Sequence, residues 1–412
     1  MPKKSLYTSA RHLRGASRAE MFGLTGEPGF DWQTVLAWKW HVQETYAGDQ
    51  EAGLTDRGIR YVAGDARFVS PDEIEVELND PAADGTSTER IGFDHAIVAT
   101  GSAPVMPPIE GIELADTSTD ALSYPAPPAS LLIAGGGFIG LELAAVYASF
   151  GSKVTVVSSA PRMLEMLDEE VAAVAVRRLE RLGVEFHTSC RLAALAGEPG
   201  AGEVTVTDAD GSPLAGTYQR VLMAVGRRPA LDSLALDAAG VQLEGNGAPV
   251  LDEALCTTNP RIWFAGDATG GMMQTPAAGY MGRTVAASIE SGVPVAADTS
   301  LIPSCLFTTP QVAQVGLTEA KARARGIDVE IGSVTLEYSG AGVIEDERDG
   351  LIKLVFSAED DLLLGAHIAA PGASDLVYAL AVAMRCGATR ATLRETIGIH
   401  PAYCEMIPRA AY

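Results

Sequence analysis

The sequence lacks any apolar segment long enough to cross a membrane and any secretory signal. Its longest apolar stretches, such as Leu376 to Met384, fall far short of the roughly 20 residues that a membrane-spanning helix needs. The first residues, MPKKSLYTSARHLR, contain no apolar core of the kind that a secretory signal carries. We therefore expect a cytoplasmic protein with no membrane partner.

Cysteine is scarce, and its spacing matches no metal motif. The five cysteines are far apart and odd in number, and the sequence contains neither a CxxC nor an HxxxH pattern. We expect reduced thiols, no structural zinc and no other metal site. The cysteines are Cys190, Cys256, Cys305, Cys386 and Cys404.

Basic residues are also few. The 412 residues include 30 Lys and Arg against 53 Asp and Glu, which gives a net charge of −23. Such a surface repels the phosphate backbone of nucleic acids and the anionic surface of membranes, so neither is an expected partner. Hydrophobic residues reach 47% with 43 glycines, a balance typical of a soluble α/β protein.

The pattern along the chain indicates several segments. Residues 1–50 favour helices, and residues 59–100 alternate as short strands do. The proline-rich stretch SYPAPPAS, at 123–130, separates these from a strand–helix–strand unit. A third region begins near residue 300, with alternating strands and with helices predicted at 374–386 and 393–397.

The strongest motif is a glycine fingerprint, GxGxxG, at 135–140. It follows an apolar strand and opens a helix within a βαβ unit of roughly 30 residues, the context in which this motif binds a dinucleotide. The first glycine permits the tight turn, the second admits a pyrophosphate and the third lets helix and strand pack closely. The residues expected at this site are Gly135, Gly137, Phe138, Ile139 and Gly140, followed by Glu142.

The end of the next strand bears on the choice between NAD and NADP. An acidic residue there binds the ribose hydroxyls, whereas a nearby arginine without the acid admits a 2′-phosphate. This sequence has Ser158 at that position and Arg162 four residues later. The pattern favours NADPH or relaxed selectivity. The alternative is that Ser158 caps a turn and Arg162 points to solvent.

Two more segments carry side chains suited to ligand contact. Asp267 follows a buried strand and lies between glycines, so it can accept hydrogen bonds from ligand hydroxyls, or else cap a helix or turn. Farther on, His400 precedes a proline and Glu405 follows it by five residues. A carboxylate that orients a histidine and stabilises its protonated form makes an acid/base pair.

Together these motifs resemble the FAD-dependent pyridine-nucleotide disulfide oxidoreductases, which include dihydrolipoyl dehydrogenase, glutathione reductase and mercuric reductase. The resemblance covers essentially the whole chain, in the family's order and spacing. It implies an α/β fold with FAD- and NAD(P)-binding Rossmann-like domains and a C-terminal α+β dimerisation domain. The motifs are ATGS at 99–102, GGGFIGLE at 135–142, AVGRRP at 224–229, IWFAGD at 262–267 and HPAYCE at 400–405. The implied domains are an FAD-binding domain in two parts (1–115 and 227–299), an NAD(P)-binding domain (116–226) and a dimerisation domain (300–412).

The resemblance also implies roles for individual residues. Glu142 would pair with a flavin-side lysine, Lys3 or Lys4, between which the motif does not choose. His400, held by Glu405, would be the acid/base that a homodimer contributes to the partner's active site. Gly226 would approach the nicotinamide nucleotide. The residues implied along FAD are Ala66 in a GDA turn, Thr100, Gly101, Ser102, Asp267, Met273, Gln274, Thr275 and Pro276.

One departure from the family concerns the first residues. Family members begin with another GxGxxG, for the ADP half of FAD, and a GGTCxxxxGC motif that carries two redox cysteines. Here Met1-Pro2-Lys3-Lys4 matches the stretch just after the second redox cysteine, and none of the five cysteines replaces the pair by motif. We expect an N-terminally truncated family member. A chain made in this form should retain FAD weakly and turn over no disulfide.

The implied activity passes electrons between NAD(P)H, FAD and a disulfide or dithiol, as in dihydrolipoyl dehydrogenase. The lone Cys404 and the presence of His400 disfavour a mercuric reductase. Three alternatives remain open: a glutathione-reductase-like NADPH disulfide reductase, an NAD(P)H diaphorase or quinone reductase, and a non-catalytic NAD(P)-binding protein.

Overall fold

The computed structural model describes residues 1–48, 50–81, 85–197, 204–208, 214 and 216–412. The α-helices are α1 (Pro2–Ala16), α2 (Trp32–Ala47), α3 (Gln50–Thr55), α4 (Ser118–Ala121), α5 (Phe138–Ser149), α6 (Glu169–Arg181), α7 (Thr275–Ser291), α8 (Glu319–Ala324), α9 (Gly340–Glu345), α10 (Ala373–Arg385), α11 (Arg390–Glu395) and α12 (Met406–Ala410). Single 3₁₀ turns occur at Ala19–Phe22, Ile112–Leu114, Gly266–Thr269 and Tyr403–Glu405.

The strands alternate with these helices along the chain. They are β1 (Gly64–Ser70), β2 (Glu73–Leu78), β3 (Thr88–Gly92), β4 (Ala96–Val98), β5 (Ser102–Pro104), β6 (Ser130–Ala134), β7 (Lys153–Val157), β8 (Glu185–His187), β9 (Leu192–Ala196), β10 (Val204–Asp208), β11 (Gly216–Tyr218), β12 (Arg220–Met223), β13 (Arg227–Pro229), β14 (Ile262–Phe264), β15 (Ser304–Leu306), β16 (Gln311–Gly316), β17 (Val329–Thr335), β18 (Leu351–Ser357) and β19 (Leu363–Ala370).

The chain forms two compact units. The first comprises residues 1–46, 104–226 and 300–412, and the second comprises residues 47–103 and 227–299. The units change after residues 46, 103, 226 and 299, whereas the sequence predicts boundaries after residues 115, 226 and 299. The assignment of FAD-binding, NAD(P)-binding and dimerisation roles to the four segments stays a prediction.

A parallel sheet in the first unit carries the glycine fingerprint. Its strands lie in the order β12-β6-β7-β8 and all run in the same direction. β6 and most of β7 are buried, as expected for parallel strands covered on both faces. Because the carboxyl ends of parallel strands meet at one edge, the turns after β6, β7 and β12 lie close together.

A five-stranded antiparallel sheet, in the order β15-β16-β19-β18-β17, occupies the last part of the same unit. Its buried face packs against α10 and α12 through an aliphatic core. The helix predicted at 393–397 instead begins at Arg390 and ends at Glu395. It starts earlier because the Thr389 side chain accepts a hydrogen bond from the backbone N–H of Thr392, which caps the helix.

The second unit contains smaller sheets. β1, β2 and β3 form an antiparallel sheet, and β4 pairs in parallel with β14. A core that includes Phe68, Val98 and Phe264 lies between them. Ala66, expected in a turn, lies instead within β1 and pairs with Val76 of β2, because the alternating stretch extends back to Gly64.

The described residues lack two kinds of feature. No helix among them is both long and apolar enough to cross a membrane. Within the same residues, no group of three His, Cys, Asp or Glu side chains lies close enough together to hold a metal ion.

Candidate active site

Of the three fingerprint glycines after β6, Gly135 and Gly140 are closely packed and Gly137 is open. A Cβ on Gly135, whose φ is +125°, would lie 2.1 Å from the carbonyl oxygen of Ala224. A Cβ on Gly140 would lie 2.1 Å from the carbonyl oxygen of Gly135. A Cβ on Gly137 would meet no heavy atom within 4 Å. The turn therefore excludes side chains at two positions and leaves free space above Gly137.

This free space belongs to a cavity of about 600 Å³ at the edge of the parallel sheet. Gly137 is the N-cap of α5 and provides no side-chain cap, so the first N–H groups of the helix remain available. Gly226, at the end of the AVG motif, lines the same cavity, whereas Glu142 is buried one turn into α5. A helix N-terminus beside a cavity of this size fits the pyrophosphate of a dinucleotide.

Ser158 and Arg162 both line this cavity, and each makes hydrogen bonds within its own loop. The buried Ser158 hydroxyl accepts a hydrogen bond from the Ala160 backbone N–H, which is the turn-capping arrangement. The Arg162 guanidinium donates to the backbone carbonyls of Leu164, Glu165 and Leu167 rather than pointing to solvent. The Arg162 guanidinium therefore stabilises the loop at 162–167.

Arg191 is a cavity residue that the sequence reasoning missed. It is exposed and lines the cavity, and it has no ion pair or hydrogen bond of its side chain among the described residues. The Cys190 backbone N–H donates to the Ser158 carbonyl, which brings Arg191 beside the end of β7. The alignment of β8 with β7 was the signal that could have found it, because the residues that follow neighbouring parallel strands meet at one edge.

Lys3 and Lys4 both reach Glu142. The Lys3 ammonium lies 2.6 Å from one carboxylate oxygen, and that of Lys4 lies 2.6 and 2.8 Å from the two oxygens. The Phe307 backbone N–H also donates to Glu142, at 2.8 Å. Burial lowers the pKa of Lys4 and outweighs the opposing effect of the carboxylate. The carboxylate is 1% exposed and thus orients two ammonium groups on the first turn of α1.

The five cysteines do not form a redox pair. All of them are free thiols in the structure. Burial and the nearby charge of Glu142 raise the pKa of Cys305 to about 12, and burial also raises the pKa of Cys256. Since the thiolate is the reactive form, neither of these two cysteines is suited to nucleophilic chemistry near neutral pH.

A second candidate site, in the second unit, is built around Asp267. Its carboxylate accepts a hydrogen bond of 2.6 Å from the Ser102 hydroxyl. Arg227 holds Ser102 in turn, by donating to its hydroxyl oxygen at 2.7 Å and to its carbonyl at 2.6 Å. The remaining carboxylate oxygen makes no hydrogen bond among the described residues and can accept one from a ligand hydroxyl.

The backbone around this network is also suited to ligand contact. Gly101 and Gly266 have positive φ angles, +75° and +68°, which favour glycine. The 17-residue helix α7 begins directly after Gln274, whose side chain makes no cap, so its first N–H groups can face a phosphate. Among the other FAD residues expected here, Thr100 lies exposed before Gly101, and Thr275 and Pro276 form the first turn of α7 after the half-exposed Met273 and Gln274.

His400 and Glu405 form the expected pair. Nδ1 of His400 lies 2.7 Å from Oε2 of Glu405. The histidine is 71% exposed and the carboxylate 11% exposed, so the imidazole faces outward while the carboxylate that holds it lies within the fold. Gly340 lies directly beside the pair, since a Cβ there would approach the imidazole Cε1 to 3.2 Å.

Comparison with known proteins decides the family. Residues 2–282 match the pyridine nucleotide-disulphide oxidoreductase domain, and residues 302–411 match its dimerisation domain. The chain belongs to this family. The second match supports a homodimer.

Curated relatives of the family align with the full chain. Dihydrolipoyl dehydrogenase of Halobacterium salinarum is 34% identical over 100% of this chain and 86% of its own length. Dihydrolipoyl dehydrogenase of Geobacillus stearothermophilus is 33% identical over the same shares. A mercuric reductase of Streptomyces lividans is 34% identical over 96% of this chain and 83% of its own length.

A solved structure agrees with this assignment. The HOCl-induced flavoprotein disulfide reductase RclA of Escherichia coli is 26% identical, with a TM-score of 0.86 over 98% of this chain and 88% of that one. The α/β fold and the family are thereby confirmed. The protein is an FAD- and NAD(P)H-dependent oxidoreductase, and the open space at Gly137 and the free oxygen of Asp267 fit these two cofactors.

Proposed function

We propose that the protein transfers electrons between NAD(P)H and a dithiol or disulfide substrate of the dihydrolipoyl type, in the cytoplasm. The observation that carries this proposal is the 2.7 Å contact between His400 Nδ1 and Glu405 Oε2. With Nδ1 bonded to the carboxylate, Nε2 is the atom that takes a proton from a dithiol as its thiolate forms, or, in the disulfide-reducing direction, gives a proton to the thiolate that leaves. The identity of the relatives, dihydrolipoyl dehydrogenases at about 33%, supports the substrate class.

The other site residues bind and orient the two cofactors in this proposal. The first turn of α5, at Gly137, receives the pyrophosphate of NAD(P)H, and Gly226 admits the nicotinamide half. Asp267 would accept a hydrogen bond from a ribityl or ribose hydroxyl of FAD. Lys3 and Lys4, which Glu142 orients, would supply positive charge to a flavin. FAD, when bound, supplies the two-electron relay between hydride and thiol chemistry.

His400 acts from the dimer in this proposal. Its 71% exposure leaves the imidazole free to enter the partner's active site, while Glu405 stays anchored. An exposed histidine held by a largely buried carboxylate can transfer protons in the active site of the partner subunit, because its orientation is fixed before the two subunits meet.

The experiment compares His400→Gln with His95→Gln in protein purified from its native source. Both histidines are exposed, and the His95 side chain has no described hydrogen bond or ion pair. We expect His400→Gln to slow dihydrolipoamide oxidation about 100-fold or more, the usual contribution of a general base, and to leave NAD(P)H-dependent dye reduction intact. Equal dithiol rates in the two variants would refute the acid/base role.

A second candidate function is an NAD(P)H diaphorase or quinone reductase. The free state of all five cysteines and the raised pKa of Cys305 favour it, since dye or quinone reduction requires no thiol. Flavin absorbance and dye reduction without any lipoamide or glutathione turnover would select this function. Dithiol turnover by the native protein would select the first.

We also propose that NADPH is preferred through Arg191 rather than Arg162. Arg191 lines the cavity without a partner, whereas the guanidinium of Arg162 is bonded to its own loop. Arg191→Gln should weaken NADPH binding about tenfold, the loss of one charged hydrogen-bond donor, and leave NADH binding unchanged. Arg325→Gln, which removes an exposed arginine elsewhere, is the control. An equal loss for both nucleotides would contradict the assignment.

A further inference from the structure

A second cavity of the first unit, separate from the dinucleotide cavity, is rich in arginine. It measures about 500 Å³ and shares no lining residue with the cavity at Gly137. One wall is a single face of α1, and the end of α6 and the loop after β15 form others. The lining includes five arginines, Arg11, Arg14, Arg18, Arg178 and Arg181.

Three of these arginines are neutralised by acidic side chains. Arg18 pairs with Asp346 at 2.8 Å and with Glu347 at 2.5 Å. Arg178 also pairs with Glu347, at 2.7 Å. Arg181 pairs at 2.8 Å with Asp349, which lies outside the lining. These ion pairs hold the side chains of Arg18, Arg178 and Arg181.

The other two arginines, Arg11 and Arg14, have no ion pair or hydrogen bond of their side chains among the described residues. Arg14 is half-buried, and burial and the positive charge of Arg178 lower its pKa. The two residues are three positions apart on α1, so their side chains lie on one face of the helix. An otherwise strongly acidic protein thus keeps two adjacent guanidinium groups without an ion pair among the described residues in a concave site, with the Glu347 charge acting on Arg14 only at longer range.

Gln311, another residue of the lining, adds a further hydrogen-bond donor. Gln311 accepts a hydrogen bond from the Ser374 backbone N–H through Oε1, which fixes the orientation of its amide. Its Nε2 group makes no hydrogen bond within the described part of the chain. The cavity therefore combines two cationic forks with a neutral donor, and its volume lies in the range of small-molecule sites.

We propose that this cavity binds a small phosphate-bearing anion, held between Arg11 and Arg14. Guanidinium groups match the oxygen geometry of phosphate and bind it in a bidentate way. Two guanidinium groups on one helix face can share a group with several oxygens, such as a pyrophosphate. The lining contains three acidic residues against five arginines. The Asp346 and Glu347 carboxylates pair with the neighbouring arginines, and the Glu345 carboxylate accepts a hydrogen bond from Tyr403, so the positive surplus lies at Arg11 and Arg14.

The test is calorimetric titration of the protein with inorganic pyrophosphate and, separately, with inorganic phosphate. We expect pyrophosphate to bind more tightly than phosphate, because it carries more charge and can contact both arginines at once. Binding should weaken as the salt concentration rises, since the charges are partly exposed to solvent. A pyrophosphate titration without measurable binding would overturn the proposal, whether or not phosphate binds.

Variants locate the binding on the molecule. Arg11→Gln with Arg14→Gln should weaken pyrophosphate binding at least about tenfold while NADPH still binds, which also shows that the variant is folded. Arg11→Gln alone, at an exposed position, keeps the test valid if the double variant unfolds, and should lose part of the affinity. Arg325→Gln removes the same charge from an exposed site and should change nothing. Unchanged affinity in the arginine variants would place the anion elsewhere and refute the site.

Discussion

The two candidate nucleotide sites use opposite means of recognition. At Gly135–Gly140 the protein offers backbone alone: two glycines are packed against carbonyl oxygens, and Gly137 faces open space at a helix start. At Asp267 it offers a side chain, whose carboxylate is bonded to Ser102, which Arg227 holds. The first site therefore depends on the absence of side-chain atoms, whereas the second depends on a chain of hydrogen bonds.

The largest effect is expected at the backbone site. Gly140→Ala places a Cβ 2.1 Å from the Gly135 carbonyl oxygen, so α5 or the turn must shift. We expect the free energy of unfolding to fall by about 3 kcal/mol, at the upper end of ordinary overpacking costs, and NADPH binding to be lost. Thermal unfolding and NADPH titration measure the two effects.

The matched control for that variant is Gly282→Ala in α7. A Cβ there meets no heavy atom within 4 Å, so alanine should stabilise the helix by about 0.5–1 kcal/mol. If both glycine variants behaved alike, the close packing at Gly140 would not be the reason for its identity.

The next effect is expected at the side-chain site. Asp267→Asn removes the charge that accepts from Ser102, at nearly constant volume. We expect flavin to bind about ten- to a hundredfold more weakly, because hydrogen bonds to a charged group contribute about 1.5–3 kcal/mol. Retained flavin absorbance after gel filtration measures the loss. Full retention would contradict the role of the carboxylate.

A smaller effect is expected one step away, at Ser102→Ala. Ser102 is also expected along FAD, but its hydroxyl already donates to Asp267 and accepts from Arg227. The variant loses the hydrogen bond that orients the Asp267 carboxylate, so we expect flavin affinity to fall about fivefold. A loss as large as that of Asp267→Asn would mean that Ser102 binds the cofactor directly.

The glycine site was predictable from sequence because its constraints are local. Gly135, Gly137 and Gly140 lie within six residues, between an apolar strand and a helix, and their spacing alone specifies the turn. The His400 and Glu405 pair was predictable for the same reason, since five residues separate the two side chains.

The rest depended on contacts between distant residues. Arg227 reaches Ser102 across 125 positions, and Lys3 and Lys4 both reach Glu142, a choice that the motif left open. Arg162 looked free in sequence, but its partners are backbone carbonyls, which no residue pattern reveals.

Helix boundaries show the same limit on a smaller scale. The helix predicted at 393–397 begins at Arg390, because Thr389 caps it through a side-chain hydrogen bond. The sequence predicted that a helix lies here, but the cap decided where it starts.

The most direct measurement of the central claim is NADPH titration of Gly137→Asp, beside Gly137→Asn. A side chain at Gly137 meets no heavy atom within 4 Å, and both residues are good helix N-caps, so both variants should fold with unchanged or higher stability. The account predicts that Asp weakens NADPH binding about a hundredfold or more, because a carboxylate within about 4 Å of a phosphate costs roughly 4 kcal/mol near a protein surface. Asn should weaken it far less. NADPH binding to the Asp variant at wild-type affinity would show that no nucleotide phosphate lies at this turn.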